Sequence, residues 1–321
     1  MPPAPATSTT ARSARIWAAL GIVYVVWGST YFAIRVAIQT LPPFLMAAMR
    51  FLVAGGILFG LTAPRGDRAR DPLGPAQWRA TAIVGGALLL GGNGGVVWAE
   101  LHIPSGAAAL LIATVALWMT LLDRVVFGRR LPPRAVAGIG LGLAGLALLV
   151  GRIDRGGLDP LGAAICALAS LSWAAGSLYA RTAPLPRRPL VATSMEMLAG
   201  GALLLVVGVS IGEPRTAHIA SFSTSSVLAL GYLIVFGSLL AFSAYVWLLR
   251  HAPTSLVATY PYVNPVVAVL LGWAFLGEEV TVRMAAAGTI IVCAVALIAS
   301  AHVPAPDEEI VEEPARAAGG R

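Results

Sequence analysis

Residues 78–127 read WRATAIVGGALLLGGNGGVVWAELHIPSGAAALLIATVALWMTLLDRVVF, an almost unbroken apolar run. A helix crossing a hydrocarbon core of about 30 Å needs about 20 largely apolar residues, so this run is too long for a single crossing. Glu100, His102, Pro104 and Ser105 place a turn in its middle, where proline and small polar residues end one helix and start the next. Two antiparallel spans joined by a polar knot are the smallest reading the stretch admits.

Outward from this pair, the same alternation predicts spans near 16–36, 44–62, 79–99, 105–123, 134–151, 160–180, 190–211, 227–249, 255–276 and 284–302. The run from Val227 to Leu276 is divided by Arg250, His251 and Pro253. Ten spans consume most of the 321 residues, and only short loops remain. Composition agrees: 58% of residues are hydrophobic and 12% are charged, far from the roughly one quarter charged in a soluble domain. The expected class is an all-α integral membrane protein of ten transmembrane helices in the lipid bilayer.

The net charge of +7 comes from 22 basic residues, all Arg. They are scattered among short loops and form no stripe that would read nucleic acid. Alternate loops differ sharply. Sixteen Arg fall on the amino-terminal side and four, Arg152, Arg155, Arg215 and Arg283, on the other. Cytoplasmic loops retain positive charge, so both termini are expected in the cytoplasm of a multi-pass protein of the inner (plasma) membrane. Residues 1–15 form a short polar segment before the first span, which exceeds a signal peptide's apolar region and is read as retained. Residues 303–321, with Asp307, Glu308, Glu309, Glu312 and Glu313 among Pro, Ala and Gly, read as a disordered acidic tail. Cys166 and Cys293 sit mid-span, where cysteine behaves as a small hydrophobe.

The two halves echo each other. Gly28-Ser29-Thr30-Tyr31 corresponds to Gly176-Ser177-Leu178-Tyr179, with Trp27 and Trp173 just upstream. Met49-Arg50-Phe51-Leu52 lies against Met195-Glu196-Met197-Leu198, and His102-Ile103-Pro104-Ser105 against His251-Ala252-Pro253-Thr254. With Arg134 against Arg283, these make four correspondences in register at an offset of about 146–149 residues and indicate an internal duplication, 16–151 and 160–302. Five spans per repeat is an odd number, so the second repeat enters the membrane inverted. Inverted repeats are the architecture of secondary transporters, in which a small-molecule solute binds near the midplane.

Several stretches are similar to the EamA family of the drug/metabolite transporter superfamily, in particular its YedA-like inner-membrane branch. They are Trp27–Arg35 (WGSTYFAIR), Gly92-Asn93 with Ala99-Glu100 and Pro104-Ser105-Gly106, Ser172-Trp173, Glu196-Met197-Leu198, Gly231-Tyr232-Leu233 with Phe236-Gly237-Ser238, and Ala258–Gly272 (ATYPYVNPVVAVLLG). The resemblance covers about 16–300 and implies ten helices around a central cavity and export of drugs or metabolites. Ala116 stands where the family has a fourth-span proline, which puts a break or kink there in doubt, while Pro265 is kept and supports one in the ninth span.

Charges inside a hydrocarbon core are functional candidates. Arg50 and Glu196 lie about a third of the way into their spans, while Glu100 and Arg250 end theirs. The expectation is an outer gate of Arg50 with Glu100 and an inner gate of Glu196 with Arg250, the alternative being static contacts that fix helix register. Asn264, preceding Pro265, and Asn93 are candidate solute contacts, against the alternative of a helix-to-helix hydrogen bond. Trp27, Trp118, Trp173, Tyr260 and Tyr262 are deep enough to line a cavity, whereas Tyr31 and Trp98 fit an interfacial belt. Gly138, Gly142 and Gly145 form a small-residue face suited to packing within the subunit, with a homodimer as the other option.

The rival from another class is a membrane-embedded prenyl or lipid transferase using Asp67 and Asp71, which would hold magnesium. A charged, Pro-flanked loop is the better reading of that stretch, and no second acidic motif faces it. P-loop, HExxH, CxxC and GxSxG patterns are absent, so no enzyme activity, metal or cofactor is expected. Coupling to protons through Glu196 or Glu100 and movement down the solute gradient both stay open.

Overall fold

The computed structural model of the protein describes residues 7–65, 73–128, 132–150, 158–252 and 259–300, and all regular structure among them is helical. Eight helices are long and apolar enough to cross a membrane: α1 (Ser13–Ala37), α2 (Pro43–Thr62), α3 (Pro75–Ala99), α4 (Ser105–Phe127), α6 (Pro160–Ala180), α7 (Pro189–Ser210), α8 (Thr224–Leu248) and α10 (Val282–Ser300). Two shorter apolar helices, α5 (Pro133–Leu149) and α9 (Tyr260–Leu276), fall between them.

Helix starts follow proline. Pro43, Pro75, Pro160 and Pro189 open α2, α3, α6 and α7, because the first helical position needs no N–H donor and suits proline's fixed φ. This moves the start of α3 four residues upstream of the sequence expectation. The fourth span does break without its proline. Its helix stops at Ala113 and restarts at Val115. Between them, Thr114 tightens the chain through an N–H bond to Leu111 O (3.1 Å) and accepts from Leu117 N (2.9 Å). Its hydroxyl bonds Leu111 O at 2.6 Å and lies 3.1 Å from Ser170 Oγ. Pro265, by contrast, sits inside an uninterrupted α9.

Two large apolar clusters organise the interior. One gathers Leu111, Leu117, Ala163, Cys166, Ile291 and Val295 around α4, α6 and α10, and the other gathers Ile34, Phe51, Leu89, Met197, Leu204 and Leu233 around α1, α2, α3, α7 and α8. Close helix approach rests on glycine. A Cβ on Gly55 would stand 2.9 Å from Met197 Cβ, and one on Gly138 or Gly145 would run into Ile298 or Ile291 of α10. The small-residue face of α5 therefore packs within the subunit. Large apolar side chains such as Leu168, Val206, Leu228 and Phe275 point outward, the inverse of a water-soluble surface.

Candidate functional site

Three helices widen into π-helical turns: α1 at Val23–Trp27, α3 at Gly86–Gly94 and α8 at Leu233–Leu240. A wide turn disturbs the i→i−4 ladder and leaves carbonyls for other partners. Each receives a side-chain donor from another helix. Asn264 of α9, with its amide nitrogen turned toward the carbonyls, donates to Tyr24 O of α1 and to Tyr260 O, both at 3.2 Å. Ser172 Oγ of α6 donates to Ala87 O of α3 at 2.8 Å. Trp27 Nε1 of α1 donates to Gly237 O of α8 at 3.2 Å. The widened segments of α3 and α8 occupy equivalent places in the two halves, whereas α6, the counterpart of α1, is α-helical throughout.

Trp27 is the hub. Its ring centroid lies 5.1 Å from each of Phe242, Tyr245 and Tyr260, edge-on or tilted as aromatic quadrupoles prefer. Tyr24 and Thr259 hydroxyls bond beside this cluster, and Ser29 Oγ lies 2.6 Å from Tyr232 OH.

Arg50 reaches the same turn of α8 from α2. Its Nε donates to Ser238 Oγ at 2.9 Å, its Cζ stands 4.7 Å from the Phe51 ring centroid, and only 4% of the residue is exposed. Among the described residues, neither terminal guanidinium nitrogen has a hydrogen-bond partner and no carboxylate is in ion-pair range.

The expected Arg50–Glu100 pair is therefore not formed. Glu100 is fully buried, and neither carboxyl oxygen has a partner. Arg35 Nη1 donates to the Glu100 backbone carbonyl instead. Burial pushes the Glu100 carboxyl well above the usual carboxylate range; Arg35 pulls it down and Glu278 pushes it further up. Glu196 is half-buried and makes no ion pair among the described residues. The Arg250 side chain lies outside the described residues, as do Asp67, Asp71 and the acidic tail.

The other candidates are dispersed. Asn93 lies in the widened part of α3, beside Gly92, where a Cβ would meet Trp173 Cε3 at 2.7 Å; both belong to the α3–α6 seam. Trp118 is half-buried on α4, and its indole N–H has no acceptor. Tyr262 OH donates to Val295 O at 2.8 Å and ties α9 to α10. Tyr31 packs against the interior cluster rather than forming a belt. Trp98 stacks on His102 (4.2 Å) and Trp247 on His251 (4.4 Å), a pair repeated in the two halves.

Sequence reasoning missed Ser238, Phe242 and Tyr245, and with them two acidic corners. Gly212 and Gly277 adopt left-handed φ of 85° and 66° at the ends of α7 and α9, the usual glycine termination. The next residue in each case is a glutamate that folds back. Glu213 accepts from Phe44 N (3.0 Å) and Leu45 N (2.8 Å) at the start of α2. Glu278 accepts from Ser105 N (2.8 Å) and Gly106 N (3.1 Å) at the start of α4. Carboxylates there satisfy orphan donors and meet the positive end of the helix dipole. A Gly-Glu pair after an apolar run was the available signal. Beside the second corner, a depression of about 390 Å³ is lined by Arg35, Gln39, His102, Ile103 and Glu278, among others.

The model of the EamA-like transporter family matches the chain twice, over residues 15–151 and 160–300. The "Uncharacterized inner membrane transporter YedA" of Escherichia coli (strain K12) is 39% identical over 297 residues, 92% of this chain and 94% of that protein. A "Probable amino-acid metabolite efflux pump" of Salmonella typhimurium is 26% identical, with 85% and 90% covered. A solved crystal structure superposes with a TM-score of 0.61 at 22% identity, spanning 90% of this chain and 97% of its own, and so shares the fold.

Proposed function

From the premise that this chain belongs to the EamA-like transporter family, we propose that it is a secondary transporter that exports small metabolites or drugs by alternating access. The observation that carries this reading is the double family match, each half holding five apolar helices. Taken as crossings, α1–α10 make ten, and an odd number per half inverts the second half against the first. The membrane would be the inner membrane, with both termini cytoplasmic by the Arg asymmetry.

The solute path is placed between the halves, bordered by Trp27, Tyr260 and Asn264 on one side and Arg50 with Ser238 on the other. Asn93, Trp118 and Trp173 flank it on α3, α4 and α6. The Trp27 aromatic cluster closes one end in this conformation. Arg50 and Glu100 act at the outer face as separate charges in this conformation and find partners when solute binds or the face opens, while Glu196 with Arg250 makes the inner gate. Protons are the coupling ion that Glu100 and Glu196 would serve.

Export is tested by preloading intact cells with radiolabelled candidate solutes. Cells that overproduce the protein should lose label faster than cells that lack it. Equal loss for every solute would remove the export assignment.

A further inference from the structure

We propose that Arg50 binds a carboxylate carried by the transported solute, so that the substrate class is a small monocarboxylic acid or amino acid. The inference rests on the transporter reading above and names what that site takes.

A guanidinium is a permanent cation with five donors. Arg50 lies seven residues into α2, about 10 Å deep at 1.5 Å per residue, where an uncompensated charge is costly. The protein engages one of its nitrogens, Nε, on Ser238 Oγ at 2.9 Å, and the Phe51 ring covers one face at 4.7 Å. What remains is the terminal edge, Nη1 and Nη2, with no hydrogen bond among the described residues. That edge is a planar two-donor fork, the geometry that receives both oxygens of a carboxylate.

The charge balance narrows the class. Arg35, the other Arg within a helix of the first half that faces the interior, is spent on the Glu100 carbonyl. One guanidinium matches a monoanion, and a dianionic phosphate would be left half-neutralised. Ser238 stands in the widened turn of α8 beside Gly237, whose carbonyl holds Trp27. Ser238 is thus a positioning residue that fixes the fork next to the aromatic cluster. Nothing in the amino-acid sequence joins Arg50 to Ser238, 188 residues away.

The test uses the full chain in lipid nanodiscs and isothermal titration with matched pairs: phenylacetate and phenylacetamide, L-phenylalanine and its amide, L-leucine and its amide. At least one acid should bind the wild type about tenfold or more tightly than its amide, the size of a charge-assisted hydrogen bond. Arg50→Gln should abolish that preference, and Arg50→Lys, which keeps charge but loses the fork, should retain part of it. Ser238→Ala should reduce the acid-to-amide ratio without removing the charge, which keeps the test sharp if Arg50 variants misfold. Amides bound as tightly as acids throughout, or an acid preference that survives Arg50→Gln, would overturn the carboxylate while leaving a transporter of neutral or cationic solutes. Failure to bind any acid overturns it too, and absence of transport of every solute class would remove the underlying reading as well.

Discussion

Glu213 and Glu278 do the same work at two corners of the molecule. Each follows a left-handed glycine, each caps the first turn of a helix in the first half, and each thereby fastens the end of α7 or α9 to the start of α2 or α4. Two polar ties between the halves are therefore carboxylate-to-backbone bonds.

Replacing either glutamate with alanine strands two N–H groups at a helix start. Glu213→Ala and Glu278→Ala should each lower the stability of the purified protein by about 1–2 kcal/mol, read as a drop in the thermal unfolding midpoint in detergent. Glutamine keeps one acceptor oxygen and should recover part of the loss. An unchanged midpoint in both alanine variants would show that the corners contribute nothing.

The approach of α1 to α9 depends on Gly28. An added Cβ would lie 2.6 Å from Val267 Cβ and 3.1 Å from Asn264 O. Gly28→Ala should cost about 1–3 kcal/mol by overpacking, and Val267→Ala in the same chain should restore much of it. Gly56, where an added Cβ would meet nothing within 4 Å, serves as the control. Gly56→Ala should be neutral or slightly stabilising, since alanine is the better helix former.

Glu100 gives a sign to the pH dependence. Burial raises its carboxyl above the ordinary carboxylate range, so the closed arrangement around it binds a proton more tightly than an open, hydrated one. Closure should be favoured at low pH and lost as pH rises, with Arg35 opposing this dependence and Glu278 reinforcing it. Hydrogen exchange across 99–106, corrected for intrinsic rates, should show greater protection in acid, and Glu100→Gln should flatten the response. Equal pH dependence in both proteins would exclude Glu100 as the source.

Orientation is open to a direct check. In a chain with Cys293 replaced by serine, Ala217→Cys should react with an impermeant thiol reagent from outside intact cells and Ala183→Cys should not. The opposite labelling would invert the topology.

Much of the helical architecture was legible in the sequence because it depends on local patterning. The knot at Glu100–Ser105 divides a run too long for one helix, and the His-x-Pro echo at 102–104 and 251–253 marks the duplication. The site was legible only as a set of residue types. Asn264 and Trp27 stood out as polar or aromatic groups at depth, yet their use depends on widened turns in other helices, which side-chain donors from distant residues complete. The break at Thr114 arose from its hydroxyl and a tight turn, where proline had been the expected cause. Opposite sign and a shared outer position match Arg50 with Glu100 in the sequence, whereas packing gives it Ser238.

Counterflow in proteoliposomes reads transport by this chain itself, free of other carriers. Purified protein is reconstituted, vesicles are loaded with unlabelled acid or amide, and uptake of the labelled form is followed at two pH gradients. The expected result is a transient overshoot for at least one carboxylate, absent from protein-free vesicles and lost in Arg50→Gln. No overshoot for any solute, with the protein shown to be folded and inserted, would mean that this chain does not transport them.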